Sequence, residues 1–358
     1  MAWIEQIRRI DFPNRCVRSK VKGTPPGGNL VETSPPLAGP FALGTFSAGA
    51  FGSGAAFPGL VTGDHVLDLR TVAGLQAYDS TRALLERWDD ILPLLRQAAG
   101  TPGERLPLAD LRVHAPVEPR QILQSGANYR THVIDLAVAH EPANGRPAEQ
   151  VRAETAAMMD RRAAEDQPYV FIGLPSSVTG PYDDVVIPAW CTKPDWELEL
   201  AAVIGRPAFR VPAEHALEHV AAYTIANDVT AREVVFRRDM PEIGTDWLRA
   251  KNAPTFTPLG PYLVPAAFAG DPGNLRVTLR LNGKVMQDET TKDMIFDVAR
   301  LVSYASQTVE LLPGDLVLTG SPAGNGMHWG RLLRPGDVME GAITGLGVQR
   351  NRCVSETA

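Results

Sequence analysis

The chain is 358 residues long, 44% hydrophobic and 21% charged, with 35 Lys and Arg against 41 Asp and Glu for a formal charge of −6. That acidic balance argues against nucleic acid or an anionic membrane as the main partner, and no run of 18 apolar residues is there to cross a bilayer. The length exceeds one average domain, and three widely spaced cysteines, Cys16, Cys191 and Cys353, exclude a disulfide framework and fit a reducing, cytoplasmic setting.

Met1 to Phe12 carries Glu5, Arg8, Arg9 and Asp11, which is wrong for the apolar core of a secretory leader. Residues 17–60 are dense in Gly, Pro, Ser and Thr and predict an irregular stretch. Leu60 to Leu69, with Thr62-Gly63-Asp64 inside it, predicts a hairpin. Ala83 to Ala99 has helical spacing, with Pro93 expected to kink or split it. Residues 1–118 are thus expected to form a small Gly/Pro-rich N-terminal domain, and 119–358 a second one, which the resemblance given below implies is catalytic.

Ala148 to Asp166 is rich in helix formers and stops before Pro168. It lies in an insertion near 141–166 expected to cover another part of the fold; with the resemblance given below, it is either a lid over the site or a helix docked on a dimer partner. A solvated surface helix is the simplest alternative. Met158 and Met159 would be a lid's adaptable apolar contacts.

From Asp183 onward the pattern is mainly β, at Val185 to Pro188, Leu198 to Ile204, Ala221 to Ala226, Leu316 to Thr319 and from about Asp337. Leu275 to Leu281 alternates apolar and polar without error before Asn282-Gly283, a type I′ turn signal. Met294, Ile295, Val298, Leu301, Val302 and Ala305 sit at helical spacing before Pro313-Gly314.

In Trp196-Glu-Leu-Glu-Leu200 the period of two sends Glu197 and Glu199 to one face and both leucines to the other. Asp228 closes a second apolar strand. Three hard oxygen donors without a Cys or His cluster suit Mg²⁺ or Mn²⁺, with Ca²⁺ also possible, rather than Zn²⁺. His132 and Asp135 share a face if a helix starts there, making a general-base pair. Lys251 can stabilise a developing enolate. The loop Thr319 to Gly326 can offer backbone N–H groups and Ser321 to a carboxylate, but it lacks a nucleotide-binding ending.

Taken in order, GANYRTH, WELELAAVIG, ANDVTAR, the Lys251 segment with TFTPLGP, LLPGDLVLTGSPAG and GDVMEGAITGLGVQRN resemble the fumarylacetoacetate hydrolase family over roughly Gln121 to Val354. The resemblance implies an α+β, mainly β fold, with a C-terminal domain of rolled mixed sheets and a smaller N-terminal domain. It implies a homodimer and a divalent cation on Glu197, Glu199 and Asp228. His132, with Asp135 beside it, would activate water and Lys251 would stabilise charge. Tyr129, Arg232, Gly320 and Ser321 would contact the substrate.

The chemistry so implied is hydrolysis of a carbon–carbon bond in a 1,3-dicarbonyl or 2-oxo acid such as an acylpyruvate, through a metal-bound enolate. Decarboxylation, hydration or tautomerisation of a 2-oxo acid on the same site is the alternative, and a catalytically silent binding module a third. The departures bear on substrate. Asp135 stands where Glu is common, Gly173 where Lys is common, Val235 where Gln is common, Pro254 where Asp is common, and Ser321 where Thr is common.

Overall fold

The computed structural model describes residues 36–49, 54–140 and 145–357. The expectations for Met1 to Phe12, Cys16, 17–35, 50–53 and 141–144 lie outside them. In chain order the strands are β1 (Ala42–Ser47), β2 (Phe57–Thr62), β3 (His65–Asp68), β4 (Leu106–Pro107), β5 (Arg112–Val113), β6 (Ile122–Gly126) and β7 (Tyr169–Gly173). They continue as β8 (Val178–Thr179), β9 (Val185–Ile187), β10 (Pro194–Asp195), β11 (Leu198–Ile204), β12 (Val220–Asn227), β13 (Thr230–Ala231) and β14 (Thr257–Pro258). The last are β15 (Val264–Pro265), β16 (Arg276–Leu281), β17 (Lys284–Thr290), β18 (Leu316–Leu318), β19 (Val338–Ile343) and β20 (Gly347–Ser355).

Three larger sheets carry the architecture, in orders β4-β3-β2-β1-β5, β15-β12-β11-β18-β6-β7 and β17-β16-β19-β20-β9. Most pairs are antiparallel; β18 with β6 and β20 with β9 are parallel. With the helices this is the α+β fold that the sequence implies.

All seven residues of β11 are buried, because both its faces are covered, and such a strand reads as an unbroken apolar run. Leu198, Leu200, Ala202 and Ile204 join a core with Val277, Leu279 and Met339 of the third sheet. Gly341 of β19 lets the two sheets touch, since a Cβ there would lie 2.4 Å from Leu198 Cδ1. Ala201 and Val203 face the other way, into a core with Leu60, Leu84, Leu85 and Leu95 of the N-terminal part. Leu43 and Leu263 exchange backbone hydrogen bonds of 2.9 and 2.8 Å, tying β1 to the end of the second sheet.

Where 17–60 predicts irregular chain, the structure has β1 and the start of β2. Gly44 and Gly59 disguise them. A Cβ at Gly44 would lie 2.7 Å from the Phe46 ring, and one at Gly59 2.5 Å from Val66, so these glycines make room for a buried aromatic ring rather than break the strands. The expected helix over Ala83 to Ala99 is two, Thr81–Leu85 and Trp88–Gly100. The division falls at Glu86-Arg87, and Pro93 lies inside the second helix. The later helix is Val298–Ser306, capped by the Asp297 carboxylate on Arg300 N, so Met294 and Ile295 precede it.

The hairpins follow the sequence. Thr62 pairs with His65 across the first turn. Asn282 and Gly283 have φ of +53° and +80°, as a type I′ turn requires. The Ala148–Glu165 helix buries Val151, Thr155 and Met159 and packs on the Arg130–His140 helix. Arg130 holds Asp160 at 2.7 and 3.0 Å, and Arg300 Nη1 donates to the Ala163 carbonyl at 2.6 Å. Met159 therefore faces the core with its i−4 and i−8 neighbours, which leaves only half-buried Met158 of the expected pair of apolar lid contacts.

Candidate functional site

The site forms where β11 begins and β12 ends. Glu197 immediately precedes β11 and Glu199 is its second residue, so alternation puts both carboxylates on one face. The register Leu198↔Asn227 sets Asp228 opposite Glu197, and the Asp228 N–H donates to the Glu197 carbonyl at 2.8 Å. Glu197, Glu199 and Asp228 are all buried, with carboxylate oxygens within 4.8 Å of one another. This is the face that carries Ala201 and Val203, so an apolar surface turns acidic at one end.

Two cations enter the cluster. Lys251, 2% exposed, ends the Trp247–Lys251 helix, which Asp246 caps. Its Nζ donates to Glu197 Oε2 and to Asp228 Oδ2, both at 2.5 Å. Arg232 donates from Nε to Asp195 Oδ2 at 2.8 Å and from Nη2 to Glu197 Oε1 at 2.5 Å. Asp195 also accepts from the backbone of Trp196 and Gly326, and Asn227 Oδ1 accepts from Glu197 N at 3.0 Å. Glu199 accepts from Gly320 N at 2.7 Å. Gln124 Nε2 donates to Asp228 Oδ1 at 2.6 Å.

Four carboxylates therefore face two cations, an excess of two negative charges when all are ionised. Burial opposes charge on Glu197, yet Arg232 and Lys251 outweigh it and hold that carboxyl at about 2. Burial, helped by the charge on Asp228, pushes Glu199 well above the usual carboxylate range. Burial raises Asp228 to about 6 against the pull of Lys251. Lys251 is raised in turn, because Asp228 and Glu197 outweigh its desolvation. A hard dication answers this excess and finds three oxygen donors in place. The residues present fit Mg²⁺ or Mn²⁺.

His132 stands in the first turn of the Arg130–His140 helix, whose start is fixed by Asp293 accepting from Thr131 N at 2.7 Å. Burial holds its imidazole down at about 4 against the charge on Glu197, so it is neutral near pH 7 and free to accept a proton. The expected hydrogen-bonded pair with Asp135 does not form. The Asp135 carboxylate accepts instead from Arg152 Nη1 of the inserted helix at 3.3 Å and reaches His132 only as a nearby charge.

The expected substrate contacts divide. Tyr129 is wholly buried, and Arg232 is occupied by Asp195 and Glu197. Gly320, at φ +86°, turns its N–H onto Glu199. Ser321 lies beside these groups in the same loop, its Oγ accepting from Gln287 Nε2 at 2.9 Å.

Sequence reasoning did not single out Asp195, Gln124 or Asn227. Gln124 carried no local signal, since only Ile122 and Leu123 precede it, Ser125 follows, and a second amide, Gln121, stands three residues before it. Asp195 adjoins the two-glutamate segment, but nothing local ties it to Arg232, 37 residues on.

Comparison with known proteins identifies the family of the chain. The model of the fumarylacetoacetate (FAA) hydrolase C-terminal domain matches residues 121–354. The chain is 34% identical to the human mitochondrial oxaloacetate tautomerase FAHD2B over 291 residues, 79% of this chain and 84% of that protein. It is 44% identical to a 2,4-didehydro-3-deoxy-L-rhamnonate hydrolase of Sphingomonas sp. over 193 residues, 53% of this chain and 66% of that one. Among solved structures, a probable 2-hydroxyhepta-2,4-diene-1,7-dioate isomerase from Mycobacterium abscessus superposes with a TM-score of 0.67 at 32% identity, covering 88% of this chain and all of that one. These relatives are named as enzymes of tautomerisation, hydrolysis and isomerisation, and with the family domain spanning about two-thirds of its length the chain belongs to the fumarylacetoacetate hydrolase family.

Proposed function

We propose that the protein is a divalent-metal-dependent enzyme that relocates a proton on a 2-oxo acid through its enolate, as a keto–enol tautomerase or isomerase. The observation that carries this reading is the buried Glu197, Glu199 and Asp228 cluster with the Lys251 ammonium between two of its members. The three carboxylates would hold Mg²⁺ or Mn²⁺. When bound, the ion supplies positive charge that polarises the 2-oxo carbonyl and stabilises the enolate.

The chain's own residues supply the rest. Lys251 keeps its proton and presents a fixed cation to developing negative charge. Neutral His132 accepts the proton removed beside the carbonyl and returns it to the other position. Arg232 fixes the angle of Glu197. Ser321, whose Oγ accepts from Gln287 and donates to the Pro322 carbonyl at 3.4 Å, would turn its hydroxyl from that longer contact to a substrate oxygen, since the Gly320 N–H is held by Glu199 at 2.7 Å.

Proton relocation is favoured over water attack by the state of Asp135. A water nucleophile needs a base held in one tautomer by an acidic partner, and here that carboxylate faces Arg152. Hydrolytic cleavage of a carbon–carbon bond in a 1,3-dicarbonyl acid is the second reading, supported by the 44% identity to a protein named as a hydrolase.

The test follows oxaloacetate and a panel of acylpyruvates in D₂O and in H₂¹⁸O with Mn²⁺. The expected result is faster decay of enol absorbance, with deuterium entering beside the carbonyl and the carbon chain intact. ¹⁸O in a new carboxylate assigns hydrolysis instead. Neither change on any member, with Mg²⁺ or Mn²⁺ present, overturns both readings.

A further inference from the structure

Gln124 lies in the middle of β6, between Leu318 of β18 and Phe171 of β7, and is 1% exposed. A carboxylate only accepts, so the 2.6 Å contact with Asp228 Oδ1 must be made by the amide nitrogen. That orientation sends Oε1 to the opposite side, where it is buried with no hydrogen-bond partner. A polar side chain half satisfied in a core destabilises the fold relative to an apolar one of the same shape. What Gln124 does for Asp228 must offset this.

The neighbouring strand is built around the same group. Gly173 pairs with Ile122 across the β6–β7 ladder, and a Cβ there would lie 2.9 Å from both Cδ and Oε1 of Gln124. The five-residue β6–β7 ladder fixes the two residues as diagonal neighbours, so a Cβ at 173 would have to be met by a shift of the Gln124 amide. A side chain at 173 and the amide at 124 cannot both occupy this space without a shift.

We propose that Gln124 is the positioning residue for Asp228, and that glycine stands at 173 to admit its amide. Gln124 ties Asp228 Oδ1, which leaves Oδ2 turned toward Lys251 and the cluster. The inference rests on the reading of the triad as a metal site, and it adds a neutral partner behind one ligand. Partners of this kind set the orientation and affinity of the ligand they hold.

The experiment uses the full chain as wild type, Gln124→Met, Gly173→Ala and the double variant. Mn²⁺ affinity is read by calorimetry and metal-free stability by thermal melting. Gln124→Met keeps the shape and removes the donor, so Mn²⁺ affinity is expected to fall by roughly 10- to 100-fold, and the metal-free melting temperature is expected to fall as well, because Asp228 Oδ1 is left buried without its donor. Gly173→Ala should weaken binding in the same direction. The double variant should be no weaker than the weaker single one, because both act through one contact.

Wild-type affinity in Gln124→Met, or losses that multiply in the double variant, overturns the proposal. Wild-type affinity in Gly173→Ala removes glycine's part in it. If Gly173→Ala does not fold, Gln124→Met carries the test. A crystal structure of metal-free Gln124→Met reads the same claim without metal, and the Asp228 carboxylate is expected to rotate away from its wild-type plane. An unchanged plane refutes positioning. If wild type takes up no Mn²⁺, the metal reading fails and this rotation alone decides the role of Gln124.

Discussion

Replacing Lys251 by Met separates the electrostatic load of the site from its chemistry. The ammonium is buried and donates to Glu197 and Asp228 at 2.5 Å each. Without it, four carboxylates face Arg232 alone. Removing one partner of a buried ion pair costs about 3–5 kcal/mol. Unfolding entropy of about 2.1 cal/mol/K per residue over 358 residues gives roughly 0.75 kcal/mol/K, so the metal-free variant should melt about 4–7 °C lower at pH 8. The pH dependence has a definite sign. With the cation gone, the folded-state carboxyls bind protons more tightly than the unfolded ones. The deficit is then small below about pH 4 and grows as pH rises through the folded values. Mn²⁺ should stabilise the variant more than wild type, because repulsion between Lys251 and a dication is gone. Activity should nonetheless fall about 10²- to 10³-fold in kcat, the range for losing one donor to a developing anion. Thermal melts with and without Mn²⁺, set beside enol decay, read all of this. Equal melting temperatures at pH 8, or weaker Mn²⁺ binding in the variant, would refute the reasoning.

Glu199→Gln keeps an acceptor for Gly320 N and removes a carboxyl that burial already pushes well above its usual range. Mn²⁺ affinity should fall by at least about 100-fold, while calorimetric stability at pH 7 without metal stays equal or rises. With Mn²⁺ saturating, the acid limb of kcat/KM should fall near the His132 value of about 4 rather than the ordinary imidazole value of about 6.5. Activity is therefore kept as pH drops through 6. An inflection at 6.5 that vanishes in His132→Gln would show that the imidazole is not desolvated. Hydrogen exchange over 148–165 is expected to slow when oxalate and Mn²⁺ are added together, the inserted helix acting as a lid. Unchanged exchange under saturating ligand would leave it a docked helix.

The acidic triad was legible because strand periodicity is a local rule. Two glutamates two residues apart share a face wherever the strand goes, and Asp228 at a strand end needed only an antiparallel partner to meet them. The same reasoning correctly put His132 and Asp135 on one helix face. It could not foresee Arg152, 17 residues away on a separate helix, which reaches the Asp135 carboxylate at 3.3 Å. Spacing establishes which groups can meet, whereas competition among long side chains decides which do. Asp195 and Gln124 were hidden for the same reason, since each acts through a partner distant in the chain. The strand at Ala42–Ser47 was lost differently: its Gly44, with Gly59 of the neighbouring β2, serves the Phe46 ring and imitates a loop.

The sequence sets residues 1–118 apart as a small N-terminal domain; in the structure, leucines of its sheet share one core with Ala201, Val203, Leu316 and Leu318 of the sheet that bears the site. This bears on chemistry. An excess of two negative charges can be kept off bulk water only where the surrounding face is covered. Glu199 and Asp228, each 1% exposed, lie on the face that the N-terminal leucines cover farther along. The cover raises both carboxyls, which makes the cluster unstable when fully ionised and gives a divalent cation its advantage there. On the metal reading proposed above, burial that would be a defect in an ordinary core would become the source of the site's affinity, and the N-terminal residues would take part in it without touching a ligand atom.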